Sequence, residues 1–69
     1  MALDGSAQLA GYLRRKNLSQ AEAARRVGVS EPYISQILSR KRRPSLSVAT
    51  RIEDEFDIPA RDFAQKEVA

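Results

Sequence analysis

The stretch running from Ser19 to Leu38, "SQAEAARRVGVSEPYISQIL", decides the fold. Its first four residues form a capping box. Ser19 caps from the N-cap position and Glu22, at N3, reaches back toward it. The helix they open runs through Ala24 to Val27 and stops at Gly28, where a positive φ carries no steric penalty. Only Val29 separates Gly28 from a second N-cap, Ser30. The next helix, "EPYISQILS", holds Pro32 in its first turn, where an N–H has no intrahelical partner to lose. Ile34, Ile37 and Leu38 make its buried stripe. At about 100° per residue the opposite face carries Pro32, Ser35, Gln36 and Ser39, with Tyr33 at the border and Glu31 at the N-terminal tip.

Two short helices joined by a three-to-four-residue turn containing glycine make a helix-turn-helix. The intervals here are specific to it. Ala24 is small where a crossing helix comes close, Gly28 follows four residues later, and Val27 and Val29 flank the glycine as buried residues. Ile34 and Ile37 then lock the second helix onto the first. A generic helical hairpin needs no such series.

Outward from this pair, the pattern stays helical and strand signals are nearly absent. A first helix spans about 6–16, with Leu9 and Leu13 on one face and Asn17 suited to the left-handed cap. The basic run "SRKRRPS", Ser39 to Ser45, ends at Pro44, and Ser45 caps a fourth helix. Leu46, Ala49, Ile52 and Phe56 supply that helix with an apolar face. Asp57 ends it, and Ile58-Pro59 leads to a short fifth helix anchored by Phe63, with no clear cap. The expected architecture is all-α: a compact five-helix domain with the helix-turn-helix at helices 2–3. Residues 1–5 are read as a flexible leader, 6–65 as the domain and 66–69 as a tail, unless Val68 joins an interface.

Composition narrows the chemistry. The chain has 69 residues, enough for one small domain with a limited core. It contains no cysteine and no histidine, which removes disulfides, thiolate metal sites, the commonest general base and every His-dependent triad. The acidic run "EDEFD" has no second ligand cluster to support a metal. The reading is therefore no enzyme, no metal and no cofactor. No apolar run spans a bilayer and no signal peptide is present, so a cytoplasmic protein without membrane contact is expected. The net charge of +3 is unevenly spread: residues 1–44 carry nine basic and three acidic side chains, residues 45–69 three basic and six acidic. A basic face with an acidic end suggests a polyanion partner.

At these residues a resemblance is visible. The stretch "LRRKNLSQAEAARRVGVSEPYISQILSRKRRPS", continued by "LSVATRIEDEFDIPARDF", resembles the phage repressor/Cro-type helix-turn-helix family, also described as the xenobiotic-response-element family. The resemblance covers roughly residues 9–63. It implies a transcriptional regulator that binds double-stranded DNA, most often as a homodimer on a pseudo-palindromic operator, with helix three in the major groove. It assigns Ser30, Glu31, Pro32, Tyr33 and Gln36 to the recognition-helix positions nearest the bases and Gln20 to a backbone or outer-base contact. Lys41, Arg42 and Arg43 fall in the phosphate-contacting loop. With the outward faces from the helical wheel, the base-contacting set is Glu31, Pro32, Tyr33, Ser35 and Gln36. The backbone-contacting set is Gln20, Ser30, Ser39, Arg40, Lys41, Arg42 and Arg43.

The chain also departs from the family pattern. Ala23 stands where leucine is usual, Glu53 where a small apolar residue is usual and Asp57 at a common glycine. Arg40 stands where glycine usually ends helix three, and a left-handed arginine costs roughly 1–2 kcal/mol. Either the turn is built differently, or the cost is tolerated for a fourth basic side chain at the DNA.

Each candidate has a plainer role beside the functional one. Gln36 suits a bidentate pair with adenine N6 and N7, and is otherwise a solvated glutamine. Glu31 either accepts from cytosine N4 or serves the helix dipole. Tyr33 either touches a thymine methyl or a phosphate, or packs at the rim. Ser30 is first an N-cap. Arg25 and Arg26 follow Glu22 by three and four residues, which favours local ion pairs. A chain of this length has no room for a ligand-binding domain, an economy shared by Cro-like regulators, restriction–modification controllers and antitoxins. The second class of function is a protein-interaction module, such as an antitoxin binding its toxin, that uses the same fold mainly to hold a partner protein; Ala23, Glu53 and the acidic C-terminal half support it.

Overall fold

The computed structural model describes residues 4–63, so the expectations for 66–69 and Val68 lie outside the described residues. Four α-helices, α1 (Gly5–Lys16), α2 (Gln20–Val27), α3 (Glu31–Leu38) and α4 (Leu46–Phe56), are followed by a 3₁₀ turn, Ala60–Phe63. The all-helical expectation holds, with one correction: the fifth helix is a single 3₁₀ turn. Four residues between a buried Ile58 and a buried Phe63 cannot nucleate an α-helix, and the tighter i→i+3 turn suffices.

Every α-helix begins on a side-chain cap. Asp4 accepts from the Ala7 N–H at 2.8 Å, Ser19 from Glu22, Ser30 from Tyr33 and Ser45 from Val48. The sequence signals located the last three. Asp4 and Gly5 fall in the segment whose sequence reads as a leader, yet α1 starts on them. Gly5 is buried, and a Cβ there would lie 2.6 Å from the Phe63 ring. Only glycine lets the first turn of α1 pass so close to the aromatic ring that anchors the end of the fold. The capping box at Ser19 forms by half: its hydroxyl accepts the Glu22 N–H, while the Glu22 carboxylate is engaged by Arg25 and Arg26.

The core is one cluster contributed by all five elements. It contains Leu9 and Leu13 of α1, Ala23, Ala24 and Val27 of α2, Ile34 and Ile37 of α3, Val48, Ala49, Ile52 and Phe56 of α4, then Ile58 and Phe63. Tyr12 packs its ring on Phe56 with centroids 4.9 Å apart. Ala23, the small residue at a usual leucine position, is fully buried. Three expected core residues differ. Val29 and Leu38 are half-buried at the edge of the cluster. Leu46 is 80% exposed, because Val48 takes the inward position and Leu46 lies about 160° around the helix from it.

Glu53 explains its unusual place on α4. Its Oε1 accepts the Ala60 N–H at 3.2 Å and so caps the 3₁₀ turn that had no legible cap. Arg51 likewise reaches the α2 C-terminus, where its guanidinium donates to the Val27 carbonyl at 3.5 Å.

Candidate nucleic-acid interface

The helix-turn-helix is built as its spacing required. Gly28 is left-handed, with φ of 87°, and the N–H groups of Gly28 and Val29 both donate to the Ala24 carbonyl. That reversal turns the chain so that Ser30 caps α3 after a single intervening residue. Ile34 and Ile37 hold α3 on the core. Glu31, Pro32 and Ser35 remain exposed, while Tyr33 and Gln36 are half-buried along the side facing the loop. Ser30 and Gln20 are exposed at the starts of α3 and α2. The Ser39 hydroxyl turns back and donates to the Gln36 carbonyl at 3.3 Å.

The end of α3 answers the question posed by Arg40. Its φ is 64°, squarely left-handed. The Arg40 N–H donates to the Ile37 carbonyl at 3.1 Å and the Lys41 N–H to the Gln36 carbonyl at 2.9 Å. These two bonds are those of a Schellman motif, with arginine at the position glycine usually fills. The side chain, though more than half exposed, turns back to the start of α1. Its Nε and Nη2 donate to the two carboxylate oxygens of Asp4, each at 3.0 Å. The guanidinium thus clamps the N-cap of α1, and the Asp4 carboxyl is held below its ordinary range by the Ala7 N–H first and by Arg40 second. Alongside, the Ser6 hydroxyl donates to the Ile37 carbonyl at 2.7 Å, so α1 caps the end of α3 from two positions.

Lys41, Arg42 and Arg43 are exposed in the loop before Pro44. Arg42 also bonds inward: its Nε donates to Gln36 Oε1 at 2.8 Å, and its guanidinium lies over the Tyr33 ring, 4.9 Å from the centroid. The Tyr33 hydroxyl accepts the Ser45 N–H at 3.2 Å. The predicted base-side residues Tyr33 and Gln36 and the predicted loop residue Arg42 are therefore one linked group. On α2, Glu22 holds Arg25 and Arg26, and these contacts lower its carboxyl from the ordinary range, Arg25 foremost.

Several supporting residues went unread in the sequence. Asp4 carried an available signal, an aspartate immediately before a helical pattern, which the leader assignment obscured. Glu53 stood out only as a charge at a usually apolar position, and Ser6 and Arg51 carried no signal, because each acts on a helix end distant in the chain. Among the described residues no helix is long and apolar enough to cross a membrane, and no three metal-ligating side chains cluster.

A family model described as helix-turn-helix matches residues 9–63, the segment that contains the capped helices, the Gly28 turn and the basic loop. Comparison with curated proteins and with solved structures gave no match. Matched over most of its length, and folded as that motif requires, the chain belongs to the phage repressor/Cro-type helix-turn-helix family of DNA-binding regulators.

Proposed function

We propose that this domain is a homodimeric repressor that reads a pseudo-palindromic operator through α3 in the major groove. One observation carries the reading: the exposed face of α3, with Glu31, Pro32 and Ser35, lies on the same segment as the exposed cations Lys41, Arg42 and Arg43. Loop cations supply affinity by neutralising phosphates, and α3 supplies choice among sequences. Arg40 contributes differently from its three neighbours, since Asp4 occupies its guanidinium. A dimer would set two copies of α3 about 34 Å apart, one turn of the duplex.

The test is selection of bound sequences from a random duplex pool, followed by a salt series on the winner. Two symmetric half-sites are expected, with a log–log slope that steepens by about 0.9 for each phosphate neutralised. A flat slope, or no enriched sequence, sinks the proposal. Gln36→Ala should lower specific affinity about tenfold or more and leave non-specific affinity nearly intact.

A second reading is favoured by Leu46. It stands exposed in a groove that it lines together with Arg43, Pro44, Ala49, Ala60 and Phe63. In that reading the apolar edge holds a partner protein, such as a toxin, and DNA binding is secondary. Leu46→Asp would then abolish partner capture while the isolated domain keeps its duplex affinity.

A further inference from the structure

We infer that Arg42 is a positioning residue that sets the Gln36 amide so that the pair offers hydrogen-bond donors to the base, and that the preferred partner is guanine. The inference rests on the proposed placement of α3 in the major groove.

One side-chain contact sets the chemistry. Arg42 Nε lies 2.8 Å from the Gln36 amide, at Oε1. A guanidinium carries donors only, so the oxygen must face it. The reversed amide would set NH₂ against N–H and lose the bond. Gln36 Nε2 is thereby turned away from Arg42 with both its hydrogens.

A glutamine that reads adenine uses both ends of its amide: the oxygen accepts from N6 and the nitrogen donates to N7. Here one of the two lone pairs of the oxygen is already taken by a charged donor, which weakens that fork. The end left wholly free is the donor end. Guanine shows two acceptors in the major groove, O6 and N7, whereas adenine pairs its N7 with a donor at N6. The remaining N–H groups of Arg42 add donors beside Nε2, so the pair as a unit is complementary to guanine.

The geometry is held from outside α3. The Arg42 guanidinium lies over the Tyr33 ring, and Tyr33 is tied by its hydroxyl to the backbone of Ser45 at the start of α4. Lysine at 42 would retain the charge but offers neither the planar Nε–H nor the stacking face. A simple phosphate grip makes the opposite prediction, because a phosphate contact is indifferent to the base beside it.

The experiment titrates the full chain against its selected duplex and a copy carrying adenine for guanine at the position that Gln36→Ala relaxes. Wild type is expected to prefer guanine. Arg42→Lys should reduce that preference about tenfold while non-specific affinity falls about twofold or less. Tyr33→Leu, which removes the stacking platform, should reduce the preference in the same sense. Wild-type selection of adenine there, or a guanine preference that survives Arg42→Lys, overturns the inference and leaves the DNA-binding reading standing. Failure of the wild type to bind any duplex overturns both. An independent readout needs no DNA: the side-chain amide resonances of Gln36 in the free protein should shift in Arg42→Lys, and identical spectra would refute the contact itself.

Discussion

Two helix ends in this molecule place opposite residues in the left-handed conformation. The α2 helix ends on Gly28 and α3 ends on Arg40, both left-handed. At Gly28 the left-handed residue itself contributes no side chain, and the turn serves to aim α3. At Arg40 the chain tolerates a strained conformation, and the side chain that glycine would lack reaches across to Asp4. The difference teaches that a left-handed cap can serve as a tether. The Arg40 clamp and the Ser6 bond tie the two ends of α1 and α3 together, beside the loop from which Arg42 and Tyr33 organise Gln36.

Substitutions at these ends test that contrast. The largest effect is expected at the glycine turn: Gly28→Val should destabilise the domain by about 2 kcal/mol, read as a lowered urea midpoint. Its cause is backbone strain; a Cβ there meets only the far end of Arg51, at 3.4 Å. An unchanged midpoint would mean that the turn does not need its glycine.

Next in size is Asp4→Ala, which removes both the α1 N-cap and the Arg40 partner and should cost about 1 kcal/mol. Asp4→Ser retains a cap and loses only the clamp, so it should recover most of that loss. Equal losses in the two would place the stabilisation in the clamp and not in the cap.

Arg40→Gly should change stability least at neutral pH, within about 0.5 kcal/mol. Relief of the left-handed strain is offset by loss of a largely exposed ion pair and by the extra freedom of glycine in the unfolded chain. The sign with pH is definite. Asp4 and Glu22 have lowered folded pKa values, so their contribution is present above the ordinary carboxylate range and disappears as pH falls through it. Urea midpoints should be nearly flat from about pH 5 to 8, since the chain has no histidine, and should fall below about pH 4. Asp4→Ser should shallow that acid decline, and a midpoint that moves between pH 6 and 7 would contradict the assignment.

Much of this was legible from local pattern. Ser19, Ser30 and Ser45 announced three helix starts, Gly28 announced the turn, and the spacing of Ile34, Ile37, Ile52 and Phe56 announced the core faces. These signals are short-range, because a cap or an amphipathic stripe is set by neighbours within a turn or two. Leu46 shows where that reasoning fails: its apolar character fitted the stripe, but Val48 competed for the inward position and won.

The sequence by itself determined an all-helical domain, a helix-turn-helix at α2 and α3, and a basic loop following the exposed face of α3. Tertiary structure alone decided which of the loop cations are at liberty. All four stay exposed, but Arg40 is drawn to Asp4, 36 residues away, and Arg42 to Tyr33 and Gln36. Four adjacent basic residues look equivalent in a string of letters. They diverge because a left-handed residue and a Schellman turn send successive side chains in different directions, and each then meets whatever the folded chain has brought there.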